Sequence, residues 1–218
     1  VLLTELVLTS QAVAATPRRG VKIDEIARLL RTASPAEVPV VVAFLSGELL
    51  QRQIGVGYAA LGGLPTGDGA AQDLAPALTV SEVDAVFAEV GAVTGAGAQA
   101  ARRRLLAGLF GRATAGERDF LVRLIAGELH QGALEGVMIE AVARAARVPA
   151  GEVRRAHLLG GSLPAVAAAA LPAAASPEAA SAALRSFGLR VGRPLRPMLA
   201  SSASSVAAAF ARVSPAAV

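Results

Sequence analysis

The apolar positions of this chain recur at helical spacing. Ile23, Ile26, Ala27 and Leu30 share one helix face, Val83, Val86, Phe87 and Val90 share another, and the longest series runs Leu134, Val137, Met138, Ala141, Val142 and Ala145. Strict alternation, the mark of a half-buried strand, is scarce, so the pattern predicts an all-α chain. Ser81 to Asp84 reads as a helix start, with Ser81 as N-cap and Asp84 reaching back to the free N–H groups. Gly62, Gly63, Pro65, Gly67, Asp68 and Gly69 interrupt the periodicity before it, and 62–79 is expected to connect two helical parts. Further helices are expected over 151–159, 162–171 and 178–187, the last capped by Gly188. Beyond Leu189, Pro194 and Pro197 force extended residues up to Ala200, after which Ser204 or Ser205 caps a short helix carrying Val206, Phe210 and Val213.

The two helical parts resemble each other at an offset of 80 residues. Segment 34–51 matches segment 114–131, with Glu37/Glu117, Val42/Val122, Gly47/Gly127, Glu48/Glu128, Leu49/Leu129 and Gln51/Gln131 identical. Each copy opens on a Ser/Thr-x-x-Glu capping box, runs through an apolar helix to Gly-Glu-Leu, and ends in a glycine turn before another helix. Pro39 sits at the edge of what a first turn tolerates and is expected to shift the start of the first copy. The predicted architecture is therefore two pseudo-repeated helical lobes, about 20–61 and 98–147, packed into one domain.

Composition narrows the chemistry. The chain has 218 residues and no Cys, and His130 and His157 are its only histidines, so disulfides, thiol nucleophiles and Cys/His zinc sites are set aside. The richest apolar tract, 163–175, is short and interrupted by Pro164 and Pro172, and Val1 to Glu5 lacks a basic n-region, so neither a membrane span nor a secretory signal is expected and the default location is the cytoplasm. Twenty of the 21 basic residues are Arg and the remaining one is Lys22, giving a net charge of +4. Arg donates parallel hydrogen bonds to phosphate at any biological pH, although a GC-rich genome produces the same bias.

Three glycine-rich or basic turns could carry a binding function. Gln53-Ile54-Gly55-Val56-Gly57 opens a helix, and Gln131-Gly132 to Gly136 is its equivalent; glycine lets the backbone approach a ligand while the following first turn offers unpaired N–H groups to an anion. Such a turn alone is often mere punctuation. Thr94-Gly95-Ala96-Gly97-Ala98-Gln99 leads into Arg102, Arg103 and Arg104, whose successive positions point about 100° apart and so cannot all face one ligand. Thr16-Pro17-Arg18-Arg19-Gly20-Val21-Lys22 is a further basic helix start. Lys22-Ile23-Asp24-Glu25 approaches the Lys-x-Asp-Gly signature of adenylylated lysines, but Glu25 replaces the glycine and the segment reads as an amphipathic helix. A P-loop of the Gly-x-x-x-x-Gly-Lys-Ser/Thr type, a Gly-x-Ser-x-Gly nucleophile elbow and a paired-carboxylate site do not emerge.

These features together resemble the helical DNA-binding domain that precedes the nucleotidyltransferase domain of ATP-dependent DNA ligases, most nearly the bacterial ligase B group. The resemblance rests on Phe44-Leu-Ser-Gly-Glu-Leu with Ile54-Gly55-Val56-Gly57, Thr94-Gly95-Ala-Gly97 through Arg102 to Leu109-Phe110, Phe120 through Gly127-Glu-Leu129 with Gly132, and Arg193-Pro194-Leu-Arg196-Pro197-Met198-Leu199-Ala200. It implies a helical DNA-binding domain over 1–188 that grips nicked duplex DNA across the minor groove without reading bases. It implies also that 189–218 leads toward a nucleotidyltransferase domain, followed by an OB-fold domain, which would use ATP and Mg²⁺; this chain would hold no cofactor and no catalytic residue of its own. The residues then expected on DNA are Thr16, Arg19, Lys22, Gln53, Gly55, Val56, Gly57, Thr94, Gly95, Gly97, Gln99, Arg102, Arg103, His130, Gln131 and Gly132. His130 stands where many relatives carry arginine, and Glu128 where some carry lysine. Two other readings compete: an all-helical protein-interaction scaffold, and a helix-turn-helix regulator, which the glycine turns fit poorly because a recognition helix exposes base-reading side chains.

Overall fold

A computed structural model of the chain describes residues 1–57, 75, 77–129, 131–192, 195 and 204–212. Within them lie eleven helices: α1 Leu3–Ala15, α2 Arg19–Thr32, α3 Val38–Leu45, α4 Val80–Ala92, α5 Ala98–Arg112, α6 Ala115–Ala126, α7 Glu135–Ala146, α8 Ala150–Gly160, α9 Leu163–Ala170, α10 Pro177–Arg185 and α11 Val206–Arg212. The all-α expectation holds, and the sole extended pairing among these residues is an isolated bridge between Leu2 and Thr79.

Helix α2 packs along α7 and is backed by α1, while α3 lies between α9 on one side and α4 on the other. The apolar faces read from the sequence supply this core: Ile23, Ile26, Ala27 and Leu30 are buried, as are Val83, Phe87 and Val90, with Val86 half-buried. Leu134 departs from its series, being 74% exposed. It is the N-cap of α7 in extended conformation, so its side chain leaves the helix face that Val137 and Met138 occupy. The Phe44 and Phe87 rings meet with centroids 5.9 Å apart and a 58° tilt, joining α3 to α4 in an arrangement that sets ring edge toward ring face.

Helix α1, which the periodicity reading left unassigned, buries Leu3, Leu6, Val7 and Val13 together with Thr9 and Ser10. The Thr9 hydroxyl donates to the Glu5 carbonyl one turn back, so this polar group is satisfied within its own helix.

The predicted caps are mostly in place, with three corrections. Helix α6 opens on a capping box in which the Glu117 N–H donates to Thr114 Oγ1 and the Glu117 carboxylate accepts from the Thr114 N–H. In the first copy, Ser34 donates through its N–H and its hydroxyl to Glu37 at 2.9 and 2.8 Å, but the helix begins only at Val38, with Pro39 in its first turn. Proline lacks the N–H a later position would need, so the start shifts and Ser34 to Glu37 form a turn instead. The cap of α4 is Thr79, not Ser81: Thr79 Oγ1 accepts from the Glu82 N–H and Glu82 accepts from the Thr79 N–H. Helix α10 ends at Ser186, its N–H bonded to the Ala183 and Leu184 carbonyls, so Gly188 is not its cap. Ser205 starts α11 by accepting from the Ala208 N–H. The expected stretch Pro194 to Ala200, apart from Leu195, and Val213 lie outside the described residues.

Glu82 also pairs with Arg112 at 2.7 Å. The Arg112 guanidinium and the Thr79 groups hold its carboxyl down at about 2. Because the folded value lies below the ordinary one, this stabilisation is complete at neutral pH and is lost as pH falls from the usual carboxylate range toward 2. Thr79→Ala is expected to cost about 1 kcal/mol at neutral pH, the usual worth of a helix cap. Urea melts at pH 7 and pH 3 should show the gap between wild type and Glu82→Gln narrowing at the lower pH.

Three helices run the same way. Arg19 pairs with Glu140 and Asp24 with Arg144, so α2 and α7 advance in parallel. Helix α9 starts at Ser162 and Leu163, beside Leu134 and Glu135, and ends at Leu171, beside Ala145 and Arg147. Their N-terminal ends therefore gather at one end of the molecule, where the glycine turns lie.

Candidate functional site

The two Gly-Glu-Leu turns close with the same hydrogen bonds. Gly47 and Gly127 adopt φ of 75° and 73°. The Gly47 N–H bonds the Phe44 carbonyl and the Glu48 N–H bonds Ala43, while Gly127 bonds Leu124 and Glu128 bonds Arg123. This is the left-handed glycine stop that ends a helix and turns the chain sharply. Gln51 and Gln131 then anchor the next stretch of each copy. Gln51 Nε2 donates to the Asp84 side chain at 2.9 Å. Gln131 is buried, with its Nε2 donating to the Leu45 carbonyl and its Oε1 accepting from Ser10.

A left-handed residue follows each anchor at once, Arg52 after Gln51 and Gly132 after Gln131, and a further left-handed glycine, Gly55, lies three residues beyond Arg52. Gly55 has φ of 67° and Gly132 of 74°, and both are exposed. A cation lies across each. Arg102 donates from Nη1 to the Gly55 carbonyl at 3.4 Å, and from Nη2 and Nε to Val93 and Val90 at 2.7 and 3.3 Å, the last two being carbonyls at the end of α4. Lys22 donates to the Gln131 carbonyl at 3.1 Å. A Cβ on Gly55 would fall 2.8 Å from Arg102 Cζ, and one on Gly132 would fall 2.5 Å from Lys22 Nζ. Each cation thus occupies the space that the missing side chain leaves.

The predicted site residues fall into two groups. At the first turn, Val56 shares a concavity of about 180 Å³ with Gln99, Arg102 and Arg103, so the start of α5 lies beside the Gly55 turn. Gln53 and Gly57 are exposed on the same turn, as are Thr94, Gly95 and Gly97 ahead of α5. Gly97, at φ of 80°, is the N-cap. At the second turn, Lys22 meets Gln131 and Gly132, while Arg19 pairs with Glu140 at 2.8 Å and passes within 3.3 Å of where a Gly136 Cβ would sit. That guanidinium holds the Glu140 carboxyl below its usual range. Thr16 is half-buried and accepts from the Arg18 N–H, while Gln131 is buried with both ends of its side chain bonded within the protein, so its side chain does not reach solvent as a contact. His130 lies outside the described residues, as does the helix expected after Gly57.

The sequence reading missed Arg52. It is exposed, its N–H bonds the Leu49 carbonyl while its side chain has no hydrogen-bond or ion-pair partner among the described residues, and it holds a left-handed φ of 61°. For a residue with a Cβ that conformation costs roughly 1–2 kcal/mol. Arg52 lines a cleft of about 540 Å³ with Gln131, Gly132, Ala133 and Leu134, and also the concavity formed by Gln53 to Gly57. It therefore stands between the two turns. A positive φ on a non-glycine residue leaves no sequence signal, but its basic side chain two residues before Ile54-Gly55 could have drawn attention.

Among the described residues no three His, Asp or Glu side chains gather as a metal-ligand set, and no helix is long and apolar enough to cross a membrane.

Residues 70–143 match the family described as DNA ligase N terminus. The chain is 54% identical over 213 residues to a probable DNA ligase of Mycobacterium marinum, covering 97% of this chain and 40% of that protein. It is 55% identical to a probable DNA ligase of Mycolicibacterium paratuberculosis over 97% of this chain and 39% of the relative, and 49% identical to one of Rhodococcus jostii over 96% and 40%. The chain thus spans about two fifths of the length of these curated relatives.

Proposed function

The chain belongs to the family of DNA ligase N-terminal domains, and on that premise we propose that it holds nicked duplex DNA for a ligase without reading its sequence. The observation that carries this reading is the pair of exposed left-handed glycine turns, Gly55 and Gly132, with the unpaired Arg52 between them. Backbone N–H groups at such turns bind phosphate oxygens and carry no base information. Arg52, Arg103 and Gln99 add side-chain contacts at the first turn, and Arg19 adds one at the second when DNA draws it from Glu140.

In this proposal the parent protein is an ATP-dependent ligase of the bacterial ligase B type, working in the cytoplasm at the nucleoid in replication, repair or recombination. ATP and Mg²⁺ would be held by a nucleotidyltransferase domain acting with an OB-fold domain. There the parent would move AMP to a 5′-phosphate and join the 3′-hydroxyl to it, while the helical domain supplies affinity and holds the nicked ends.

Fluorescence anisotropy with nicked duplexes of unrelated sequence tests the reading. We expect equal affinity for all of them. No binding would support the scaffold reading, and a strong preference for one sequence would support a regulator. A milder prediction concerns Arg52→Gly. Relief of the left-handed strain should raise stability by up to about 1 kcal/mol, while loss of the cation should weaken DNA binding several-fold. Thermal melts beside anisotropy measure both.

A further inference from the structure

The basic residues around the two turns do not all have the same work. Lys22 and Arg102 are half-buried, and each directs donors at backbone carbonyls. Arg102 alone joins three carbonyls from two segments: Gly55 on the turn, and Val90 and Val93 at the end of α4. Lys22 links α2 to the carbonyl of Gln131, whose side chain already reaches α1 through Ser10 and α3 through Leu45. Both cations lie against a left-handed glycine at distances a Cβ would forbid.

We propose that Lys22 and Arg102 are positioning residues that pin the Gln131-Gly132 and Gly55 turns through their carbonyls, and that they do not themselves neutralise DNA phosphates. Fixing a carbonyl fixes the N–H of the same planar peptide, that of Gly132 for the Gln131 carbonyl and that of Val56 for the Gly55 carbonyl. The pin therefore sets where the neighbouring N–H groups point before DNA arrives. The two pins use unrelated parts of the chain, the first turn of α2 and the first half of α5, and hold different carbonyls: that of Gln131, just before Gly132, in one case and that of Gly55 itself in the other. Arg52, whose side chain has no partner among the described residues, is the contrasting case of a cation left for phosphate.

This inference rests on the DNA-binding reading above, but its test has an arm that does not. Each phosphate contact that is lost should flatten the salt dependence of binding by about one unit of log–log slope. In the 218-residue chain, Lys22→Met and Arg102→Met should weaken binding to a nicked duplex on the order of ten-fold while changing that slope by well under one unit. Hydrogen exchange should speed up at the amides of 132–134 and 55–57 respectively. Arg52→Ala should flatten the slope by about one unit without altering exchange at either turn. Should Arg102→Met fail to fold, Arg102→Lys keeps the charge but cannot span three carbonyls, and the same loss of affinity and of protection is expected. A flattened slope in Lys22→Met with turn exchange unchanged would make Lys22 a phosphate contact and overturn the proposal, as would unchanged affinity and exchange. If the wild-type chain binds no DNA, the function proposed above fails, while the exchange measurements still decide whether the cations pin the turns.

Discussion

Gly55→Val and Gly132→Val together should reduce DNA binding to background in a chain that still folds. Both glycines hold a positive φ, which a β-branched residue adopts only as a marked outlier. The added Cβ would also fall 2.8 Å from the Arg102 guanidinium carbon and 2.5 Å from the Lys22 ammonium, so the cation must leave its carbonyl. Each substitution thus removes a close backbone approach and unpins the turn that provides it. Because both turns would engage one continuous duplex, losing either forfeits the effective concentration that the other supplies, and the two single variants should weaken binding by similar factors of about ten or more. Helical circular dichroism must be intact before the loss is read as a binding effect. Gly57→Val is the informative contrast, since Gly57 has no positive φ and open space where a Cβ would sit. Arg31→Ala is a second one: Arg31 lies about 14 Å along α2 from Lys22, away from the turns. Neither should lose much affinity. Retained binding in well-folded Gly55→Val and Gly132→Val proteins would make the turns structural punctuation and favour the scaffold.

The second large effect is set by salt. If the interface neutralises on the order of four to six phosphates, log affinity should fall against log salt with a slope of about −4 to −5. Raising salt fourfold, from about 50 to 200 mM, should then weaken binding by several hundred-fold, on nicked duplexes of any sequence alike. The structure limits which cations contribute. Arg112 and Arg144 are paired with Glu82 and Asp24, Arg102 is spent on carbonyls, and Arg19 contributes only on leaving Glu140, so Arg52 and Arg103 carry more of the expected slope than the net charge of +4 suggests. A flat response in titrations at several salt concentrations would remove the electrostatic basis of the binding reading.

Much of the helical frame is legible in the residues, because its signals are local. Thr114-x-x-Glu117 specifies its own cap, and a glycine after an apolar run stops the helix whether at Gly47 or Gly127. Where two hydroxyls compete, as at Thr79 and Ser81, the winner depends on tertiary tethers: the Val80 N–H bonds the Val1 carbonyl, the Leu78 carbonyl takes the Leu3 N–H, and the helix start is fixed from outside. Helix α1 hides because its buried face includes Thr9 and Ser10, which a hydrophobicity pattern scores as outward. The candidate site was half legible. Gly55, Gly132 and the start of α5 are visible as turn chemistry, yet Lys22 and Gln131 stand 109 positions apart, and Arg102 and Gly55 stand 47 apart. A side chain bonded to a distant carbonyl leaves no periodic trace, so the carbonyl partners of these two cations are not visible in the sequence.

Lys22 is the sole lysine of the chain, and its amine is held against the Gln131 carbonyl. Acylating reagents therefore find one side-chain amine in the whole molecule, and reaction there requires that nitrogen to give up its bond to the turn. The rate of its modification becomes a clock for how often the second turn opens. A peptide carrying Lys22 can be separated by mass from the one carrying the amino terminus, so the clock can be read in bare protein, in any variant, or on DNA, with no label introduced and no residue changed.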